Sequence, residues 1–186
     1  MDSDNLLDVG ILIALNTGLR LGEVCALRWN NIDLIKKSLT VLGTVQRVYE
    51  SNGNKCTKVK VLPPKTRFCE RIIPLEGSVL LKLKTLKCVD NCYVLSGSFH
   101  PVEPRVLQKR FKKISEKLIK RHVKFHDLRH TFATICISNG GDVKAVSEIL
   151  GHKDVSTTLS FYKATSFEDK QKAIRKLKRK IDLKDR

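Results

Sequence analysis

The sequence predicts a mixed, mainly α-helical domain that carries a small three-stranded antiparallel β-sheet. Three observations lead there. Apolar residues recur at three- and four-residue spacing near the start of the chain and again through its second half. Between Leu39 and Leu75 that period gives way to short runs rich in β-branched residues. Clusters of Gly, Asn and Pro punctuate the joints between these segments.

Taken in order, Leu7, Ile11, Ala14 and Leu15 mark a buried helix over about residues 4–16, which Asn16-Thr17-Gly18 breaks. Leu21 to Trp29 reads as a second, short helix. Thr40-Val41-Leu42, Val45 to Tyr49, Lys58 to Val61 and Arg71 to Pro74 are the strand segments. The turn signals Ser51-Asn52-Gly53-Asn54 and Pro63-Pro64-Lys65-Thr66 separate them into an antiparallel meander, with Lys65 at or beside its second turn. Helices follow at Val79–Leu86, Val102–Ile119 and His126–Ser138, the last stopped by Asn139-Gly140-Gly141. Asp142 is placed to cap a helix from Val143 to Leu150, and Gly151 to close it. A final helix is expected from about Ser166 to Ile181.

At 186 residues the chain suits one domain with its own core. Its formal charge of +17 points to a polyanionic partner, either nucleic acid or an acidic membrane surface. The longest apolar run, Val9 to Leu15, is too short to cross a bilayer. Met1-Asp2-Ser3-Asp4 lacks the basic-then-apolar layout of a signal peptide. The expectation is therefore a soluble protein that is not exported. Cysteines 25, 56, 69, 88, 92 and 136 read as reduced cytosolic thiols, with Cys25 and Cys136 in apolar helical settings. Cys88 and Cys92 lack a second close Cys or His pair for zinc.

Four segments carry chemistry: Thr17-Gly18-Leu19-Arg20-Leu21-Gly22-Glu23, Pro64-Lys65-Thr66, His126-Asp127-Leu128-Arg129-His130, and Leu150-Gly151-His152 followed by Tyr162. Together and in this order they resemble the tyrosine recombinase (phage integrase) family, over about residues 5–165. The resemblance implies a catalytic set of Arg20, Lys65, His126, Arg129, His152 and Tyr162, with no cofactor and no metal. It implies a bacterial, DNA-associated enzyme that cuts and rejoins double-stranded DNA at recombination sites, integrating or excising a mobile element. It also implies assembly into a tetramer on DNA.

The residue types fit that chemistry. A tyrosine attacking a phosphodiester must lose a phenol proton whose reference pKa is about 10. Negative charge then grows on the non-bridging oxygens, where two planar, permanently charged guanidiniums suit a bidentate clamp. Each such preorganised donor is worth roughly 3 kcal/mol or more. Arg20 and Arg129 would form that clamp, and His126, three residues from Arg129, would share its helix face and take the Tyr162 proton or assist the arginines. His152 would donate to a non-bridging oxygen, and the resemblance gives Lys65 the part of general acid at the departing 5′-oxygen. The arginines supply the positive charge that a metal would otherwise bring.

Each residue also has an ordinary reading. Arg20 in isolation would be a surface arginine, and Lys65 one cation of a hairpin that also holds Lys55, Lys58 and Lys60. Glu23 sits where it can orient Arg20 rather than react. His126 and His130, four apart, have the spacing of a zinc helix, but Asp127 is short and Arg129 would set a permanent cation beside the metal. His130 reads as a hydrogen-bonded structural residue, and His100 and His122 as surface. Thr157 and Thr158 suit a helix entry near phosphate, whereas Tyr49 and Tyr93 lack such a setting. Residues 166–186, strongly basic with Phe167, Ile174, Leu177 and Ile181 as an apolar stripe, form a tail of the same domain that the resemblance docks on a neighbouring protomer. Family members carry further N-terminal DNA-binding domains, so the chain is expected to be a catalytic domain without them. Two rivals share these features: relaxation of supercoils in the manner of a type IB topoisomerase, and a non-catalytic DNA-binding relic.

Overall fold

The computed structural model describes residues 3–50, 56–63, 70–86, 89–120 and 123–159. Apart from a short helix at Val155–Leu159 that the periodicity does not mark, the described helices come where it places them. Helix α1, Ser3–Thr17, buries Leu6, Leu7, Val9, Ile13 and Ala14. It ends at Gly18, whose φ of +66° favours glycine, and a Cβ there would stand 2.6 Å from Leu150 Cδ2 and 2.7 Å from Phe132 Cδ1. Gly18 thus lets the end of α1 lie against the helices that carry Phe132 and Leu150. Helix α2, Leu21–Ala26, is shorter than its expected span to Trp29, because Leu27 is extended and a 3-10 turn takes Trp29–Asn31.

The strand segments appear as expected, but they divide between two sheets instead of forming one consecutive meander. β1 (Ile32–Asp33), β2 (Ser38–Val41) and β5 (Arg71–Pro74) make a three-stranded antiparallel sheet in the order β1-β2-β5. β3 (Thr44–Glu50) and β4 (Cys56–Leu62) make a separate two-stranded ladder, from Thr44↔Leu62 to Glu50↔Cys56. The reason lies in burial. Leu39 and Val41 point to the core and pair with Ile73 and Arg71, so the inward faces of β2 and β5 select each other. Among the described side chains of β3 only Val45 is fully buried, so this ladder projects from the core and has no claim on β2. Leu42 and Gly43 carry the chain from one sheet to the other.

Helix α3 is Gly77–Leu86 and α4 is Pro104–Ile119, entered through a proline whose lost N–H costs nothing there. Helix α5 is Asp127–Ser138, α6 is Val143–Leu150 and α7 is Val155–Leu159. The Asp142 cap on α6 forms, its side chain accepting from the Ala145 N–H at 2.8 Å. Most of the apolar side chains from α1 to α4 share one core, while Ala133, Val146 and Leu150 form a smaller one between α5 and α6. Cys25 and Cys92 are buried and Cys136 is half-buried, all three as free thiols, and burial pushes the Cys25 thiol up to about 12. Among the described residues, no helix is long and apolar enough to cross a membrane.

Candidate active site

The site is organised around one helix end. The last carbonyls of an α-helix have no partner within it, and the macrodipole gathers negative charge there. At α6 those carbonyls are met by three arginines from three elements. Arg71 of β5 donates through Nε to Ile149 O. Arg129 of α5 donates through Nη2 to Leu150 O at 2.6 Å, and through Nη1 to Gly18 O at 2.8 Å. Arg20, just before α2, donates through Nη2 to Gly151 O at 3.3 Å. The expectation that folding brings Arg20 and Arg129 together is met, on adjacent carbonyls. The two differ in exposure, with Arg20 38% exposed and Arg129 2%.

Glu23 ties the group together. Its Oε2 accepts from the Arg20 backbone N–H at 2.8 Å and from Arg71 Nη2 at 2.9 Å. Its Oε1 accepts from Arg20 Nη1 at 2.9 Å and from Arg71 Nη1 at 3.1 Å. Burial alone would raise this carboxyl, but the bonds and charge of Arg71, then of Arg20, override it and hold it below the ordinary carboxylate range. Glu23 therefore orients Arg20, as its spacing suggests, while also pairing with a second cation.

Arg71 is the residue that the sequence reading passes over. A signal for it exists: in β5 the alternation puts Arg71 on the same inward face as Ile73. An arginine in a core register must be paired, because a lone buried charge is costly.

The histidines lie on the same rim. Gly151 takes φ +66°, with its N–H donating to Glu148 O and the His152 N–H to Ser147 O, both at 3.0 Å. That closure fixes where His152 leaves the helix. Its Nδ1 shares a 2.8 Å hydrogen bond with the Thr158 hydroxyl. Thr158 is fully buried on the last turn of the short α7, so it braces His152 and does not sit at a helix entry facing phosphate. Burial, then the charges of Arg129, Arg20 and Arg71, push His152 down to about 4. His126 stands at the start of α5 with its ring edge-to-face on His130, centroids 4.7 Å apart. Burial, then His130, Arg129 and Arg20, lower His126 as well, with Asp127 opposing. Asp127 itself accepts from the Lys124 N–H at 2.8 Å, closing the turn that leads into α5.

Both histidines are thus neutral at neutral pH, which carries a stability prediction. A histidine that titrates near 4 when folded and near 6.5 when unfolded takes up its proton first in the unfolded chain. Stability then falls as pH drops from 6.5 toward 4. His152→Gln is expected to flatten the fall in Tm across that window, measured by thermal melts at closely spaced pH. A slope identical to wild type would contradict it.

Lys65 and Tyr162 lie outside the described residues, as do the expected helix over 166–181, His122, Cys69, Cys88 and the turn at 51–54. Of the six candidates the structure brings together Arg20, His126, Arg129 and His152. His100 is exposed, Tyr49 lies out on β3 at 67% exposure, and Tyr93 is buried, its hydroxyl accepting from Arg28 Nη2 at 2.8 Å.

Comparison with known proteins bears on the family and the fold. The model of the phage integrase family matches residues 3–169. The chain is 32% identical to a XerC-like tyrosine recombinase of Caldanaerobacter subterraneus subsp. tengcongensis, covering 89% of this chain and 47% of that protein. It is 31% identical to tyrosine recombinase XerC of Xylella fastidiosa, covering 77% and 43%. The chain thus spans about half the length of these relatives. The fold matches the Tn1549 transposon integrase in complex with transposon right end DNA, at TM-score 0.70 and 22% identity over 93% of this chain and 59% of that one. It also matches XerA recombinase, at TM-score 0.60 and 24% identity over 94% and 62%.

Proposed function

The chain belongs to the phage integrase family, and on that premise we propose that it is the catalytic part of a site-specific tyrosine recombinase. It cuts and rejoins double-stranded DNA through a 3′-phosphotyrosyl link at Tyr162, integrating or excising a mobile element. The observation that carries this reading is that Arg20 and Arg129 converge on the helix end leading into His152, held by bonds between elements distant in sequence, with His126 within reach of their charges. A +17 chain and relatives named as tyrosine recombinases favour DNA as the partner.

In the proposed step the Tyr162 oxygen attacks the scissile phosphorus, forming the O–P bond as the bond to the 5′-oxygen breaks. Arg20 meets a non-bridging oxygen from the exposed side, and Arg129 adds a buried charge whose plane Gly18 and Leu150 fix. His152 has its Nδ1 bonded to Thr158, so Nε2 is its atom for phosphate. His126, neutral, accepts the phenol proton or assists the arginines at the phosphate. Lys65 returns a proton to the departing 5′-oxygen. Because the ester energy is kept in the tyrosyl link, rejoining needs no nucleotide. This scheme asks for no metal, since guanidiniums carry the charge that develops.

Residues 1–165 form the catalytic domain in this reading, and 166–186 a basic tail that docks on a neighbouring protomer of a DNA-bound tetramer in the bacterial cytoplasm. The test is covalent capture on nicked duplexes with randomised centres. A denaturant-resistant adduct whose DNA-bearing peptide contains Tyr162 is the expected result. DNA binding without any adduct would overturn the enzymatic reading and leave a protein that only occupies sites.

A further inference from the structure

A buried arginine outside the candidate catalytic set joins the two halves of the site. Arg71 is 6% exposed at its side chain and lies on β5, whose first residue comes six positions after Lys65. Its guanidinium bonds both oxygens of Glu23 and, through Nε, the Ile149 carbonyl at the end of α6. Three of its donors thus hold the strand, the α2 entry and the helix end that precedes His152. A lysine could not do this, because one ammonium has no planar fork.

We propose that Arg71 is a positioning residue for strand cleavage: it offsets the Glu23 charge and locks the α6 C-terminus, so that the cluster which presents Arg20 to the scissile phosphate keeps its positive excess. The inference rests on the recombinase reading. Its physical core is a charge count. Attack by a phenolate turns a singly charged phosphodiester into a doubly charged five-coordinate state. Arg20, Arg71 and Arg129 against Glu23 leave a net +2 at the cluster, matched to that state. Without Arg71, the Glu23 charge has only Arg20 to neutralise, and the cluster falls to +1.

Two variants separate this from a simple packing role. Arg71→Met is expected to slow single-turnover adduct formation on saturating nicked duplex by about 10²-fold, with DNA affinity unchanged. Arg71→Met combined with Glu23→Gln restores the +2 count and removes the orphaned buried charge. It is expected to recover at least tenfold of the lost rate and to fold even where the single variant does not. If Arg71 only packed, the double variant would be no faster than the single one. Rates are read against a Tyr162→Phe blank, below the melting temperature of every variant. Wild-type chain with no adduct above that blank overturns the recombinase reading and this inference with it. A wild-type adduct with Arg71→Met at its full rate, or a double variant as slow as the single, overturns the role of Arg71 alone.

Discussion

Arg129→Ala is expected to slow covalent adduct formation by about 10²-fold or more, and to destabilise the fold at the same time. The rate loss follows from removing one preorganised donor at a site where charge develops in the transition state. The stability loss follows from the two carbonyls that Arg129 serves. Gly18 O and Leu150 O belong to the end of α1 and the end of α6, and both lose a charged donor at 2% exposure. An orphaned buried acceptor costs about 1–3 kcal/mol, so Tm should fall by several degrees. Arg129→Lys sharpens the test. It restores the charge without the fork that spans two carbonyls, so it should recover less than a tenth of the wild-type rate. Single-turnover adduct assays and melts followed by circular dichroism would measure both effects. A rate within about threefold of wild type in Arg129→Ala would remove Arg129 from the clamp.

The same arginine illustrates what is legible in the sequence. Helix α5 and its neighbours come from periodicity and capping chemistry, because Asp142 and Gly151 act within a few residues of themselves. His126 beside Arg129 is likewise a local statement about one helix face. Bonds from Arg129 to Gly18 and Leu150 are not local, and only the motif order suggests that such distant residues meet. The sheet partition was hidden for a related reason. Turn signals say where strands end but not which faces match. β2 pairs with β5 because both turn apolar residues inward, across the whole β3–β4 ladder.

Arg71 was hidden by its surroundings. In Arg71-Ile72-Ile73-Pro74 the β-branched neighbours identify a strand, and a basic residue at a strand's first position reads as solvated. Only the register, which sets Arg71 opposite Val41 on the inward face, turns it into a residue that needs a buried partner. The partner is Glu23, half of whose role was legible as the residue three positions from Arg20. The other half required the sheet. Thr158 is a similar case: its place in the sequence suggests a helix entry, and its actual work is to hold His152 from within.

Glu23→Ala should therefore be the most damaging single change for stability, at about 3–5 kcal/mol, because it breaks a buried ion pair and leaves one charge behind. Arg71 would remain at 6% exposure with its charge no longer offset by a carboxylate, and the Arg20 N–H at the start of α2 would lose its acceptor. For a chain of this size the shift in Tm is on the order of 10 °C. Glu23→Gln should cost less, since an amide oxygen still accepts. The pH dependence gives an independent check. A carboxyl held below its ordinary value of 4.5 contributes stability that is present above that value and is lost as pH falls through the lowered one. Glu23→Ala should remove this acid-side loss while leaving intact the His152 loss between 6.5 and 4. The pairing also makes Glu23→Gln and Arg71→Met non-additive: together they should destabilise less than the sum of the two, because each leaves the other's charge uncompensated. Additive losses in a double-mutant cycle would mean that the two side chains share space and not charge. The coupling inferred from their four contact atoms would then have to be abandoned.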